Sequence, residues 1–252
     1  MKISIITVCF NSAATISQTI ASVASQSHPD IEHIVIDGQS TDSTMQIVLC
    51  SPSIAKYVSE PDAGIYDAMN KGIQLCTGDV IGILNADDFY ADNQVLKKIA
   101  DTFKDAEIDA CYGDLLYVDQ FDTAKTVRYW RSVPYLPGKF KMGWMPAHPT
   151  FFVRRALYER YDRFDLSYRL AADFELLFRF IEKHRVRTKY LPEILVKMRM
   201  GGATNKSICN VIKQNKEILR ALKDYYGTAS VFRFAVTKLF NKLGQYISRP
   251  AK

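Results

Sequence analysis

The first hundred residues alternate between short, continuously apolar runs and stretches whose apolar positions recur every three or four residues. Ile3 to Val8 is apolar and β-branched almost throughout, the pattern of a strand buried on both faces. Ser12 to Gln26 sets Ile16, Ile20 and Val23 at helical spacing, with Ser12 as the expected N-cap. Ile31 to Asp37 is a second strand, ending in the turn Asp37-Gly38-Gln39-Ser40-Thr41-Asp42, and a helix is predicted from about Thr41 to Leu49. Lys56 to Ser59 reads as a short third strand, Asp67 to Leu75 as a helix, Val80 to Leu84 as a fourth strand and Asn93 to Phe103 as a helix. This order predicts an α/β fold with a doubly wound parallel sheet. Ligands of such sheets sit beyond the carboxyl ends of the strands. Thr7 to Asn11, Asp37 to Asp42 and Asn85 to Asp88 all fall there.

Beyond Asp105 the pattern changes. Ala110 to Val118 is a predicted strand, 119–150 is irregular and rich in Pro, Gly and aromatics, and Phe151 to Val153 is extended. Ala172 to Lys183 is a predicted helix, Thr188 to Met200 is extended, and Asn205 to Asp224 is helical. The chain therefore divides into a body of two halves, 1–105 and 106–204, and a helical extension, 205–252.

Charge sharpens that division. Net charge is +6, yet 205–252 holds ten Lys and Arg against Glu217 and Asp224 alone, leaving the body slightly acidic. An acidic body argues against a nucleic-acid-binding core. In the tail, Val231 to Ile247 sets Phe232, Val236, Leu239, Phe240, Leu243 and Ile247 on one broad face among basic residues. That suits an interfacial helix on anionic lipid, or equally a helix packed on the body with its basic side in water. No apolar run approaches the roughly 18 residues of a membrane span. The apolar start resembles a signal peptide but runs into Asn11-Ser12 and an amphipathic helix, so it reads as a strand. The five cysteines are scattered without a CxxC or Cys/His cluster, which disfavours structural zinc and suits free thiols in a reducing compartment.

The candidate chemistry lies in carboxylates. Asp87-Asp88 closes a strongly apolar strand, where adjacent carboxylates repel unless a cation or donors offset them. Oxygen ligands suit Mg2+ or Mn2+; the plainer alternative is a helix cap with a solvated neighbour. Asp173 opens an apolar helix, either as a charge favoured by the helix dipole or as a general base. Glu175 would point off that face. His148 is a lone histidine, ordinarily a hydrogen-bonded structural residue, and Arg199 before Gly201-Gly202 is either a phosphate contact or a turn exit. Neither GxGxxG nor GxxxxGK[ST] is present, which disfavours a Rossmann dinucleotide site and a P-loop.

Four stretches taken together resemble the family 2 glycosyltransferases of the GT-A fold. They are Ser4 to Asn11 (SIITVCFN), Asp37 to Thr44 (DGQSTDST), Ser59 to Gly72 (SEPDAGIYDAMNKG) and Gly78 to Asp88 (GDVIGILNADD), with a looser likeness from His148 to Gly202. The resemblance is to bacterial transferases that build O-antigen, capsule or exopolysaccharide. It implies a mostly parallel sheet flanked by helices, with 1–105 binding a nucleotide-diphospho-sugar and 106–204 facing the acceptor. It also implies inverting, Mn2+- or Mg2+-dependent transfer to a glycan or polyprenyl-diphosphate-linked acceptor, on the cytoplasmic face of the inner membrane, in surface polysaccharide biosynthesis. Residue by residue, Thr7 and Asp37 would contact the nucleotide, Asp62 and Asn70 would lie beside the donor, and Asn85-Ala86-Asp87 stands where the family has DxD. Asp87 would be the metal ligand, Asp88 would face the donor sugar or ribose, and Asp173 would be the base. Two departures stand out: Asn85 replaces the first Asp, and Met69 stands where many relatives carry Arg. A sugar-1-phosphate nucleotidyltransferase would want a Gly-rich basic loop where Cys9-Phe10-Asn11-Ser12 stands. A degenerate sugar-nucleotide sensor or scaffold would have no need of Asp87, Asp88 and Asp173. A membrane-binding module acting through the tail alone would leave the carboxylates at the strand ends unexplained.

Overall fold

The apolar run at the start of the chain forms strand β1, Ile3–Cys9, buried along its whole length. It lies parallel to β2 (Ile31–Asp37) on one side and β4 (Val80–Ile83) on the other, and β3 (Lys56–Ser59) extends the sheet beyond β2. Helices α1 (Ile16–Ala24), α2 (Thr44–Leu49) and α3 (Ile65–Leu75) connect these strands, as the alternating pattern predicts. The computed structural model describes residues 1–201 and 208–227.

The second half makes the sheet mixed. Phe152–Arg154 (β8) runs antiparallel to both β4 and Ala110–Val118 (β6), while Thr188–Arg199 (β9) runs parallel to β6. Two strands have no counterpart in the sequence reading: Asp88–Tyr90 (β5), antiparallel to β9, and Thr126–Trp130 (β7), antiparallel to β6. The order is β3-β2-β1-β4-β8-β6-β9-β5, with β7 also on β6. Helix α4 is Val95–Thr102, and α5 (Arg155–Tyr161) was likewise not foreseen. The predicted helix Ala172–Lys183 is α6 (Ala172–Phe178) followed by a π-helical turn, Arg179–Lys183.

Alternation along β1 divides the core. Ile6 and Val8 face a cluster with Met69 and Ile73 of α3 and Phe174, Leu177 and Phe178 of α6. Ile3 and Ile5 face the other way, onto Val95, Leu96 and Ile99 of α4. Helix α7, Ile208–Tyr226, buries Ile218, Ala221 and Leu222 in the first cluster, so it packs beside α6. The amphipathic stretch Val231 to Ile247 lies outside the described residues. Among the described residues no helix is long and apolar enough to cross a membrane.

One buried pair makes the fold sensitive to acid. His33 of β2 is 1% exposed, and its Nε2 lies 2.9 Å from the Thr7 hydroxyl. Burial pushes the imidazole down from 6.5 to about 4. The unfolded chain therefore binds a proton between those values that the native state refuses, so stability falls as pH drops through that window. Chemical denaturation at pH 6.5 and pH 4 should show wild type losing about 3 kcal/mol more than His33→Gln, at about 1.4 kcal/mol per unit. Parallel curves would contradict it.

Candidate functional site

A cleft of about 910 Å3 opens where the carboxyl ends of β1 and β4 meet α3, α6 and the end of β9, a size typical of small-ligand sites. Its base is set by two loops tied together. Asn11, in the left-handed region at φ 49°, accepts at Oδ1 from the Thr41 N–H at 2.9 Å, and the Ala13 N–H donates to Asp42 at 3.1 Å. Asn tolerates that conformation better than most residues. Ser12 does not cap α1. Its hydroxyl donates back to the Phe10 carbonyl at 3.3 Å, and α1 begins only at Ile16.

Asp37 organises these loops from behind. It is fully buried and accepts from the Ser40 N–H (2.9 Å), the Ser59 hydroxyl (2.7 Å) and the Ser40 hydroxyl. Neither Asp37 nor Thr7, whose hydroxyl is engaged by His33, lines the cleft. Within the fold the serines hold the Asp37 carboxylate, and His33 engages the Thr7 hydroxyl once.

Asp62 does line the cleft. Its Oδ1 accepts from the Gly64 N–H at 2.8 Å, and its Oδ2 sits where a Cβ on residue 38 would approach to 2.5 Å. Gly38 therefore allows the carboxylate to lie against the turn. Gly64, at φ 121°, then starts α3 in a conformation that favours glycine.

Asn85 and Asp87 lie on the cleft, whereas Asp88 is wholly buried and off it. Asp88 is the first residue of β5, whose backbone pairs there with Met198 of β9. Burial, and then the charge of Asp87, push its carboxyl well above the usual range. Burial also raises Asp87, with Arg199 pulling it partly back. Arg199 is 7% exposed; it donates to the Asp87 carbonyl at 2.6 Å and to the Gln18 side chain, and still lines the cleft. It thus holds the Asp87 turn in place. Asn85 donates to Asp88 at 3.3 Å, while Asn85 Oδ1 and Asp88 Oδ1 are buried with no hydrogen-bond partner among the described residues.

Those oxygens bear on metal binding. Among the described residues no three His, Cys, Asp or Glu side chains gather into a ready cage. The turn nevertheless offers oxygen donors alone, with the Asp87 carboxylate on the cleft and an unsatisfied amide oxygen on Asn85. That fits a hard cation such as Mg2+ or Mn2+, held by one or two protein oxygens and completed by ligand phosphates.

Asp173, in the first turn of α6, lines the same cleft with its side chain 15% exposed. The Tyr66 hydroxyl of α3 donates to its Oδ1 at 3.2 Å, and His148 Nδ1 lies 3.2 Å from its Oδ2. Burial, followed by the Asp173 charge, raises the Tyr66 phenol well above its ordinary value, so it stays protonated and donates. His148 starts a 3-10 turn, His148–Thr150, pinned where the Thr150 hydroxyl lies 2.7 and 3.0 Å from the Ala147 and Gly113 carbonyls and accepts from the Gly113 N–H at 3.1 Å.

The loop before α6 is braced twice. Asn70 exchanges two bonds with the Phe164 backbone, donating at 2.9 Å and accepting at 3.0 Å. It does not line the cleft, and its amide holds this loop. Glu217 of α7 accepts from the N–H groups of Arg169, Leu170 and Ala171 at 3.1, 2.8 and 2.9 Å. Tyr66 and Glu217 escaped the sequence reading, and only their donor and acceptor character could have hinted at a role. So did Arg128, which lies on the cleft with its guanidinium 3.7 Å from the Tyr117 ring centre.

Residues 4–162 match the family described as Glycosyl transferase family 2. A PGL/p-HBAD biosynthesis glycosyltransferase of Mycobacterium bovis is 28% identical over 223 residues, 87% of this chain and 83% of that protein. Among solved structures, S. aureus TarS 1–349 in complex with UDP aligns with a TM-score of 0.66 at 20% identity, covering 89% of this chain. The chain spans 66% of that fragment and 40% of the TarS chain in a second structure. The mannosyltransferase PcManGT of Pyrobaculum calidifontis, in complex with GDP-Man and Mn2+, aligns with a TM-score of 0.64 at 18% identity over 95% of this chain and 69% of its own. Both likenesses are of fold: a mixed α/β sheet flanked by helices, of GT-A type.

Proposed function

The chain belongs to glycosyl transferase family 2, and on that premise we propose that it moves a sugar, with inversion, from a nucleotide-diphospho-sugar to an acceptor hydroxyl, using Asp173 as base. One observation carries the proposal. A carboxylate held by two partners, Asp173, and an oxygen-rich turn centred on Asp87 come from distant parts of the chain and line one cleft.

In this reading Asp62 and Asn85 contact the donor, and Asp87, with Asn85, is the protein's contribution to a Mn2+ or Mg2+ site. A bound cation would offset charge on the departing diphosphate. Asp173 takes the proton of the acceptor hydroxyl. The acceptor oxygen bonds to the anomeric carbon as the carbon–phosphate oxygen bond breaks, and that electron pair leaves with the nucleoside diphosphate. A single base on one face suffices for a single displacement, whereas a retained configuration by a covalent intermediate would need a nucleophile as well. Arg199 acts here as the anchor of the Asp87 turn.

The acceptor proposed is a glycan or polyprenyl-diphosphate-linked sugar of surface polysaccharide. The basic tail supports docking on the anionic, cytoplasmic face of the inner membrane.

The test is thermal stability with UDP, GDP, dTDP and CMP, each with and without Mn2+. One nucleoside diphosphate should raise the midpoint, and more so with Mn2+, since a ligand at 100 times its Kd stabilises by about 2.7 kcal/mol. Donor turnover then separates an enzyme from a sugar-nucleotide sensor, which would bind the same nucleotide and leave its sugar-linked form intact. No shift with any nucleotide would remove the reading.

A further inference from the structure

We infer that His148 is a positioning residue for the base, orienting the Asp173 carboxylate so that its free lone pairs face the acceptor hydroxyl. The inference rests on the transferase reading above and adds a residue that no part of that reading requires.

An ionised carboxylate only accepts hydrogen bonds. His148 Nδ1 lies 3.2 Å from Asp173 Oδ2, so a stable contact requires a proton on Nδ1. The Tyr66 hydroxyl donates to the other oxygen, Oδ1, at 3.2 Å. Among the described residues each carboxylate oxygen is thus engaged once, from two different elements, α3 and the turn at His148. Rotation about the last side-chain torsion of Asp173 would break both contacts together. About two of the four lone-pair sites of the carboxylate remain, and they take the incoming proton.

Both partners are themselves held. His148 belongs to the turn locked by Thr150 to the Gly113 carbonyl, and Tyr66 packs on Phe164 with ring centres 5.4 Å apart. His148 also lines the cleft, with its side chain 31% exposed. A histidine serving packing alone would have no need of a carboxylate partner at a cleft surface. Its place beside Asp173 is explained if the ring sets the direction of that carboxylate.

The experiment compares wild type, His148→Ala and His148→Asn in the full-length chain. The probe is release of nucleoside diphosphate from UDP-GlcNAc and from GDP-mannose with Mn2+, water standing in for the acceptor. Asn can present its Nδ2–H where His148 presents Nδ1–H. His148→Ala should lower kcat by about 10–100-fold, the cost of a misplaced catalytic group, with KM for the donor and the thermal midpoint close to wild type. His148→Asn should recover kcat to within about threefold of wild type, since the hydrogen bond that orients the carboxylate is restored. Wild-type kcat in His148→Ala would overturn the inference, as would an Asn variant no better than Ala. A fall in donor affinity with kcat unchanged would reassign His148 to donor binding and overturn it as well. If wild type binds nucleotide yet turns over neither donor, the transferase reading falls first, and this inference with it.

Discussion

Asp173→Asn should bind nucleotide diphosphate like wild type and turn over donor about 10²–10⁴-fold more slowly, the usual contribution of a general base. The substitution keeps the shape of the side chain. Its amide oxygen can still accept from the Tyr66 hydroxyl at Oδ1, and its amide N–H can donate to His148 once that ring carries its proton on Nε2. What disappears is a site that can accept the acceptor's proton. The loop before α6 keeps its bonds to Asn70 and Glu217, so the fold around the site has no reason to change. Calorimetry on nucleotide binding and initial rates of donor consumption measure the two halves separately. Full turnover by a purified, folded Asp173→Asn would show that another group takes the proton.

A second large effect is expected at Asp87. Asp87→Ala should erase the Mn2+-dependent part of nucleotide binding, and with it stabilisation of about 2.7 kcal/mol at a ligand concentration of 100 Kd. The same change should not weaken the unliganded protein. Asp87 is partly desolvated and stands beside the fully buried Asp88, whose carboxyl it helps push upward. Its removal takes away a repulsion, and the backbone carbonyl that Arg199 binds is still there. A midpoint equal to or above wild type without ligand, combined with no metal-dependent gain, is the expected signature. A retained Mn2+ effect would move the cation to other residues.

The parallel half of this fold was legible because its strands are buried on both faces: Ile3–Cys9 and Ile31–Asp37 are apolar runs that local pattern alone identifies. β5 and β7 were not legible. Asp88–Tyr90 is three residues long and owes its strand geometry to β9, a hundred residues further on. Thr126–Trp130 lies in a stretch whose Pro and Gly content reads as loop, yet it pairs along β6. Long-range pairing of this kind leaves no periodic trace. At the site, position at a strand end singled out Asn85 and Asp87, the helix start Asp173 and the following glycines Arg199, whereas Asp62 came with the family resemblance; all five line the cleft. They did not reveal orientation. Asp37, Thr7 and Asn70 occupy the expected segments with their polar atoms engaged by neighbouring serines, a histidine and a loop backbone, and Asp88 is buried with one carboxylate oxygen accepting from Asn85. The partners of Asp173 were hidden for a related reason. Tyr66 stands 107 positions away in the chain, and a lone His148 carries no local sign of what it meets.

The carboxylate of Glu217 closes the loop that leads to Asp173, although it is made 44 residues later in synthesis. A nascent chain that has exposed the first four parallel strands already holds the loops proposed to receive the nucleotide, because N-terminal units fold first during translation. Its base is not yet seated. Only after α7 has emerged and docked do Arg169, Leu170 and Ala171 find their common acceptor. Ribosome-bound intermediates should therefore be able to hold nucleotide sugar without spending it, and the onset of turnover marks the docking of α7.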